Sequence, residues 1–176
     1  LNECDRLLGL INMTLDVAEA EAGIIRTDQA MVDLKSLIQD VCELYEAVAE
    51  QKHISITSEL DNAPAINGNP GSLRRMVANL LDNAIKYTPE HGKVSISLSH
   101  DQSGIRISVI DTGIGIPSTE QQRVFERFFR CDHSRSQPGS GLGLSYSRAV
   151  ARAHGGDIKL QSAPDSRTAF SVLLPI

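Results

Sequence analysis

Two asparagines and a lysine are spaced four and three residues apart in a segment whose apolar residues recur as in a helix. Asn79, Asn83 and Lys86 therefore share one helix face. Their chemistry suits a metal–phosphate ligand, because Mg²⁺ takes oxygen ligands and is usually shared with substrate phosphates, whose charge an ammonium group can offset. Taken alone, the row is more simply interpreted as the solvated polar face of a helix.

A carboxylate and two glycines, Asp111, Gly113 and Gly115, come directly after a predicted strand. Glycines let the backbone approach a flat ligand and adopt positive φ. A buried carboxylate at the end of the strand could accept a hydrogen bond from an exocyclic amine such as that of adenine. The alternative interpretation is a tight turn between a strand and a helix.

Residues 139–144 contain three glycines at alternate positions and precede a predicted helix. Backbone N–H groups at the start of a helix form an anion site. The segment lacks the GK[ST] ending of a Walker loop and the spacing of a dinucleotide fingerprint. Alone it is weak evidence for a phosphate site.

Three of the four phenylalanines fall within residues 124–130. Such a cluster ordinarily belongs to the core. Because an irregular polar stretch with Arg130 and Arg135 adjoins it, the cluster could instead anchor a mobile lid that closes over a ligand.

The elements that position these motifs are helices and strands without regular alternation. Asp33 can cap a helix that covers residues 34–48, and 54–60 alternates as a strand does. Further helices are predicted over 72–87, 117–129 and 142–154, a loop over 63–71, and two hairpins that pair 94–98 with 105–109 and 157–162 with 168–174. We predict an α+β fold, a two-layer α/β sandwich with a mixed, mostly antiparallel sheet covered by helices on one face.

The first 22 residues have a heptad pattern of their own. Its apolar seam is formed by Leu1, Cys4, Leu8, Ile11, Leu15, Ala18 and Ala22. A stripe this narrow predicts a helix with a partner helix, in the same chain or in another copy. The alternative is a single helix packed on the domain.

The composition excludes several classes of protein. The chain has 176 residues, 41% of them hydrophobic, which is typical of a globular domain. A net charge of −5 and the lack of a basic stripe argue against nucleic-acid binding. No apolar run approaches the roughly 18 residues of a membrane span, and no signal peptide opens the sequence. Three scattered cysteines predict reduced thiols in the cytosol.

The order of the motifs resembles that of one family. Asn79 with Asn83, Asp111-x-Gly-x-Gly, the phenylalanine cluster and Gly139-x-Gly-x-Gly are similar to the N, G1, F and G2 boxes of sensor histidine kinases. The stretch from Asn79 to Pro89 is especially close, and the resemblance covers nearly the whole chain. It implies a Bergerat-type sandwich, the fold shared with DNA gyrase B, a heat-shock chaperone and mismatch-repair ATPases.

The resemblance also implies roles for the residues. Asn83 would ligate Mg²⁺, Asn79 and Lys86 would contact the phosphates of ATP, and Asp111 would receive the adenine amino group. Arg130 and Arg135 are candidates for stabilising the charge on the γ-phosphate. The implied catalytic residues are therefore Asn79, Lys86, Arg130 and Arg135. The remaining nucleotide-binding residues would be Tyr87, Gly113, Gly115, Ile116, Phe128, Gly139, Ser140, Gly141, Leu142, Gly143 and Leu144.

The implied activity is transfer of the ATP γ-phosphoryl group to a histidine on the dimerisation domain, for relay to an aspartate of a response regulator. The implied partners are ATP, the phosphoacceptor helix, a receiver domain and, in the longer parent, a second copy of the chain. Residues 1–26 would be the second helix of the dimerisation bundle and a linker, and 27–176 the catalytic and ATP-binding domain. We expect the cytosolic portion of a membrane-associated or soluble kinase.

The acceptor motif of this family, a histidine followed by an acidic residue and shortly afterwards by Thr-Pro or Asn-Pro, is missing. Of the five histidines, His100, which precedes Asp101, comes nearest to it but falls in a predicted hairpin turn. Since the sequence begins with Leu1, we expect a fragment without its acceptor. Two alternatives remain, an ATP-hydrolysing relative and a scaffold without nucleotide binding. Asn79 argues against hydrolysis, because related ATPases have a glutamate there and asparagine is no base.

Overall fold

The computed structural model describes residues 3–22, 28–131, 139–164 and 166–176. Within these ranges the helices are α1 (Glu3–Glu21), α2 (Leu34–Gln51), α3 (Pro70–Tyr87) and α4 (Gly143–Ala153). The strands are β1 (Ala30–Val32), β2 (Ser55–Leu60), β3 (Ile66–Gly68), β4 (Lys93–Asp101), β5 (Gly104–Asp111), β6 (Asp157–Ser162) and β7 (Thr168–Leu174). No helix in these ranges is long and apolar enough to span a bilayer.

The main sheet has five strands in the order β2-β4-β5-β7-β6. β2 and β4 are parallel, whereas the other neighbours are antiparallel. Both predicted hairpins are present as β4–β5 and β6–β7. The prediction of a mixed, mostly antiparallel sheet is confirmed. β1 and β3 form a separate antiparallel pair, and β3 lies within the segment predicted as a loop.

One face of the sheet carries the core. On β4, Val94, Ile96 and Leu98 are at most 1% exposed, while the serines between them are only partly buried. The alternation follows from the period of two of a strand. The helices cover the apolar face, and α3 buries a full row of side chains there: Leu73, Met76, Val77, Leu80, Leu81, Ala84 and Ile85. The opposite face of α3 is left for the polar residues that the sequence places on it.

Two cap residues and one lysine from another helix end fix the ends of α2 and α3. Asp33 caps α2 as predicted, accepting from the N–H groups of residues 35 and 36. Asn69 caps α3 by accepting from the Ser72 N–H at 2.8 Å. At the other end of α3, the Lys52 ammonium donates to the carbonyls of Ile85, Lys86 and Thr88 at 2.9, 2.8 and 2.8 Å. This lysine satisfies carbonyls that have no partner inside the helix.

The predicted helix over 117–129 is wrong. The segment is a series of turns whose backbone bonds mix i→i−3 and i→i−4 spacing. It ends at Phe128, whose φ of 63° lies in the left-handed region that a helix cannot contain. Contacts outside the segment stabilise the turns: Gln121 donates to the carbonyls of Ile116 and Ser162 at 2.8 Å each.

α1 packs on the domain with a face other than the predicted seam. Leu8, Ile11 and Leu15 are 56–57% exposed. The buried residues are Val17 and Ala20, with Leu10 and Met13 partly buried against the core. The alternative of a helix packed on the domain therefore describes one face of α1, and the described part of the heptad seam, from Leu8 to Ala22, is exposed.

Candidate functional site

A cavity of about 1000 Å³ lies among α3, the segment after β5 and the start of α4. It brings together most of the residues singled out in the sequence, although they are up to 65 positions apart. The predicted residues that line it are Asn79, Asn83, Lys86, Tyr87, Asp111, Gly115, Ile116, Phe128, Arg130, Gly139, Ser140, Gly141, Gly143 and Leu144.

Two of the predicted residues do not line the cavity. Leu142 has no exposed surface and belongs to the core, just before α4. Gly113 is packed between two lining residues: a Cβ on it would be 2.5 Å from Oδ1 of Asp111 and 2.6 Å from the Tyr87 carbonyl oxygen. Arg135 and the middle of the predicted lid lie outside the described residues.

One end of the cavity is polar. Asn79, Asn83 and Lys86 reach it because the apolar residues of α3 face the sheet. The Asn79 amide donates to the Gly143 carbonyl at 3.3 Å. A Cβ on Gly139 would lie 2.7 Å from Nζ of Lys86. The glycine segment is therefore placed directly against the polar face of α3.

The start of α4 borders this polar end. Leu142 is the N-cap residue, and its side chain makes no hydrogen bond to the helix. The positive end of the helix dipole and the first N–H groups of α4 thus lie beside the amides and the ammonium of α3. Together they form a surface suited to an anion, and the Asp82 carboxylate, which also lines the cavity, lies close enough to Lys86 to interact with its charge.

The other end of the cavity contains one buried carboxyl group. Asp111 is 4% exposed and accepts from the N–H of Gly113 at 2.8 Å. Burial raises the pKa of Asp111 to about 6, although the bond from Gly113 opposes that shift. The surrounding wall is mainly apolar, with Ile114, Ile116 and Phe170. A flat, mostly apolar ligand with one donor would match this end.

The wall next to Asp111 is fixed by residues that the sequence did not single out. Ser162 Oγ accepts from the Ile116 N–H at 2.9 Å, and the Ser162 hydroxyl also meets the Thr168 hydroxyl at 2.8 Å. Gly115 has a φ of 72°, and a Cβ there would lie 1.8 Å from the carbonyl oxygen of Ala163. Only glycine fits this close approach.

The phenylalanine cluster divides between the core and the cavity. Phe125 packs edge-on against Phe170, with ring centroids 6.2 Å apart. Phe128 is 57% exposed, lines the cavity, and donates its N–H to the Gly141 carbonyl at 3.0 Å. Gly141 itself has a φ of 71°. The cluster thus contacts the sheet through Phe125 and the glycine segment through Phe128.

α1 supplies part of the cavity that the motifs did not predict. Gly9, Leu10 and Met13 line it, and the Ser140 hydroxyl lies 3.2 Å from the Met13 sulfur. The sequence does contain a signal, since Leu10, Met13, Val17 and Ala20 form a second apolar row at helical spacing.

Two ion pairs attach α1 to the rest of the chain. Asp16 pairs with Arg75 of α3, and Glu21 pairs with Arg127 near the phenylalanine cluster. The Arg75 guanidinium also lies 4.4 Å from the centroid of the Tyr146 ring on α4. Arg75, on α3, therefore contacts both α1 and α4.

Residues 68–176 match the family described as histidine kinase-, DNA gyrase B- and HSP90-like ATPases. The chain is 36% identical over 175 residues to the sensor-like histidine kinase SenX3 of Mycolicibacterium smegmatis, covering 98% of this chain and 46% of that protein. It is 38% identical over 175 residues to the sensor histidine kinase RppB of Synechocystis, covering 97% of this chain and 38% of that protein. The chain thus spans less than half the length of these relatives.

Among solved structures, full-length ShkA in complex with AMPPNP is similar to 98% of this chain. The TM-score is 0.82 and the identity 32%, and 37% of the ShkA chain is covered. The similarity therefore extends over α1 as well as the domain that contains the cavity.

Proposed function

The chain belongs to the family of histidine kinase-, DNA gyrase B- and HSP90-like ATPases, and on that premise we propose that it is the ATP-binding kinase core of a two-component sensor histidine kinase. In this proposal it transfers the γ-phosphoryl group of ATP to a histidine of the dimerisation domain. An aspartate of a response regulator then receives the phosphoryl group.

The polarity of the cavity is the observation that carries this proposal. Asp111 and apolar side chains line one part of the cavity, and Asn79, Asn83, Lys86 and the start of α4 line another. A nucleotide has the same polarity, with a flat base that bears an amine and a chain of phosphates. The Asp111 carboxylate would accept from the adenine amine, and Tyr87 would flank the nucleotide. The N–H groups at the start of α4 would meet the phosphates.

The donor set at the polar end fits Mg²⁺. Asn83 lines the cavity beside Asn79 and Lys86, and its amide oxygen is the hard ligand that this ion prefers. One protein ligand suffices, because Mg²⁺ keeps several waters and shares phosphate oxygens with its substrate. When bound, the ion would offset charge on the phosphates. Lys86, Arg130 and Arg135 would supply the remaining positive charge.

Asn79 favours transfer to histidine over hydrolysis. A carboxamide cannot remove a proton from water, whereas a glutamate could. Phosphoryl transfer is catalysed mainly by positioning and electrostatics, so an imidazole nucleophile needs no strong base in the site. We therefore expect slow release of phosphate to water.

The parent protein would act as a homodimer through its bundle. Leu8, Ile11 and Leu15 support this part of the proposal, because α1 leaves them exposed on one side while its other side covers the domain. Residues 1–26 would belong to the dimerisation bundle and 27–176 to the catalytic domain. We place the catalytic portion in the cytosol.

Calorimetric titration with a non-hydrolysable ATP analogue, with and without Mg²⁺, tests the proposal. We expect saturable binding that Mg²⁺ strengthens. Lack of binding up to millimolar nucleotide would favour a scaffold. Rapid steady-state release of phosphate from ATP would favour a hydrolase.

The Asn83→Ala variant tests the metal assignment. We expect it to lose the Mg²⁺-dependent part of the affinity while it remains folded, since Asn83 lies on the polar face of α3. Asn67→Ala, an exposed asparagine of β3, is the matched control. Equal strengthening by Mg²⁺ in Asn83→Ala and in the unmodified chain would disprove the assignment.

A further inference from the structure

We propose that His53, Glu90 and His91 form a binding site for a divalent transition-metal ion of the zinc class, separate from the nucleotide cavity. One ligand atom from each residue lies within 4.8 Å of the others. Nδ1 of His53 is 2.8 Å from Oε1 of Glu90, and Nε2 of His91 is 3.8 Å from the same oxygen. Two imidazoles and a carboxylate thus converge on one point at the surface.

These separations are close to those of a coordinated ion. Zn–N and Zn–O bonds of about 2.0–2.2 Å in a tetrahedral arrangement put neighbouring ligand atoms about 3.3 Å apart. The two His–Glu separations of 2.8 and 3.8 Å lie on either side of that value. The two imidazole nitrogens lie within 4.8 Å of each other. Shifts of up to about 1.5 Å in exposed side chains would complete the geometry, with water in the fourth position.

The two halves of the cluster come from different turns that the fold holds together. His53 follows α2, and Glu90 and His91 follow α3. Lys52, the residue before His53, donates to three carbonyls at the end of α3. The distance between the two turns is therefore set by three partly buried hydrogen bonds and does not depend on the cluster itself. A site on a fixed frame loses less entropy when it binds its ion.

Both histidines have left-handed backbone conformations, which are unfavourable for histidine. His53 has a φ of 53° and His91 a φ of 65°, where glycine or asparagine is the lower-energy choice. Their rings stack with centroids 5.2 Å apart. The left-handed turns thus direct two imidazoles to the same side of the molecule.

The ligand types select the class of ion. Imidazole suits zinc, copper and nickel, whereas Mg²⁺ and Ca²⁺ prefer sets made only of oxygen. The site therefore differs in selectivity from the polar end of the nucleotide cavity. It is exposed, so an ion can reach it without any opening of the fold.

The test is calorimetric titration of the chain with Zn²⁺ at neutral pH, in reducing buffer, for the unmodified protein and three variants. His53→Gly and His91→Gly remove the imidazoles and suit the positive φ, so both should fold; Glu90→Gln removes the carboxylate. We expect binding of one ion, and a loss of affinity of at least about tenfold in each variant. His100→Ala, an exposed histidine of β4, should bind as the unmodified chain does.

Two further measurements identify the ligands and the class of ion. Co²⁺ should give visible absorption typical of nitrogen and oxygen ligands, and His53→Gly should remove it. A large excess of Mg²⁺ should not displace Zn²⁺. Undiminished Zn²⁺ affinity in both glycine variants, thiolate absorption with Co²⁺, or displacement by Mg²⁺ at similar concentrations would each overturn the proposal. Thermal unfolding without metal verifies that every variant is folded.

Discussion

The carboxyl group of Asp111 accepts a 2.8 Å hydrogen bond from the N–H of Gly113 and has almost no contact with solvent. Burial raises its pKa to about 6 from the ordinary 3.8. The folded state therefore holds this proton more tightly than the unfolded state. The stability that results is complete below pH 4 and is lost as the pH rises through 6.

We expect Asp111→Asn to stabilise the chain at pH 7.5 by about 1–3 kcal/mol, because the buried charge is removed. The asparagine oxygen can still accept from Gly113, so the wall keeps its shape. Denaturant unfolding across a pH series should show the gain shrinking toward pH 4. A gain that is equal at all pH values would contradict the assigned cause.

The same variant should bind the ATP analogue at least about tenfold more weakly. In asparagine, one of the two hydrogen-bond-accepting oxygens of the carboxylate is replaced by an NH2 group, which can only donate. Inorganic tripolyphosphate, which has no base, serves as the control ligand in the same calorimetric assay. Equal losses for both ligands would mean that Asp111 does not recognise adenine.

Asp157 should show the opposite dependence on pH. Arg148 donates to it at 2.8 and 3.2 Å, and these bonds, with help from Arg152, hold its pKa below the ordinary value. The resulting stability is present above pH 4 and is lost as the pH falls. Because the side chain is 41% exposed, we expect Asp157→Asn to cost only about 1 kcal/mol at pH 7. Unfolding at pH 7 and pH 3 measures both values, and an undiminished cost at pH 3 would disprove the linkage.

Gly141→Ala should destabilise the chain by about 2–4 kcal/mol. The residue has a φ of 71°, and a Cβ would lie 2.8 Å from backbone atoms of Phe128 and Phe129. Gly143→Ala is the matched control, because a Cβ there meets Asn79 at an ordinary 3.7 Å. Chemical unfolding of the two variants compares them, and similar losses would mean that the glycine segment is not held against Phe128.

Local patterns predicted the elements in which neighbours in sequence determine the structure. The apolar row of α3 has the period of a helix, and the alternating residues of β4 and β5 have the period of a strand. These periods are the same whatever surface the element packs against. Both Asn79, on α3, and Asp111, at the end of β5, line the same cavity. The failure over 117–129 has a physical cause, since the apolar spacing resembles a helix but hydrogen bonds to Ser162 and the conformation of Phe128 stabilise turns.

The role of Lys52 and the packing face of α1 depend on contacts between residues that are distant in sequence, so the local sequence gives only a weak signal for them. In the sequence, Lys52 cannot be distinguished from any exposed lysine at the end of a helix, yet its ammonium group donates to three carbonyls at the end of α3. The face with which α1 packs could not be chosen from sequence, because two apolar rows compete and only the shape of the domain decides between them. Met13 was therefore missed as a lining residue.

Lys52→Met should cost about 2–3 kcal/mol, because hydrogen bonds to a charged donor are stronger than neutral ones and three carbonyls would lose theirs. Lys35→Met is the matched control. Lys35 makes one exposed hydrogen bond, to Asn62 at 2.6 Å, so its loss should be within about 0.5 kcal/mol. Denaturant unfolding measures both, and equal small losses would show that water replaces the ammonium at the end of α3.

The Asp16–Arg75 pair should contribute more than an ordinary surface pair, because Arg75 is also stacked on Tyr146 and each partner is only 35–37% exposed. We expect a coupling energy of about 1 kcal/mol in a double-mutant cycle with Asp16→Ala and Arg75→Ala. The neighbouring Asp40–Arg74 pair joins α2 to α3, is 50–55% exposed, and should couple by less than about 0.5 kcal/mol. Hydrogen exchange adds a local readout: Arg75→Ala should increase exchange in α1 and leave α2 unchanged. Equal coupling in the two pairs, with unchanged exchange in α1, would show that the Asp16–Arg75 pair does not hold α1 over the cavity.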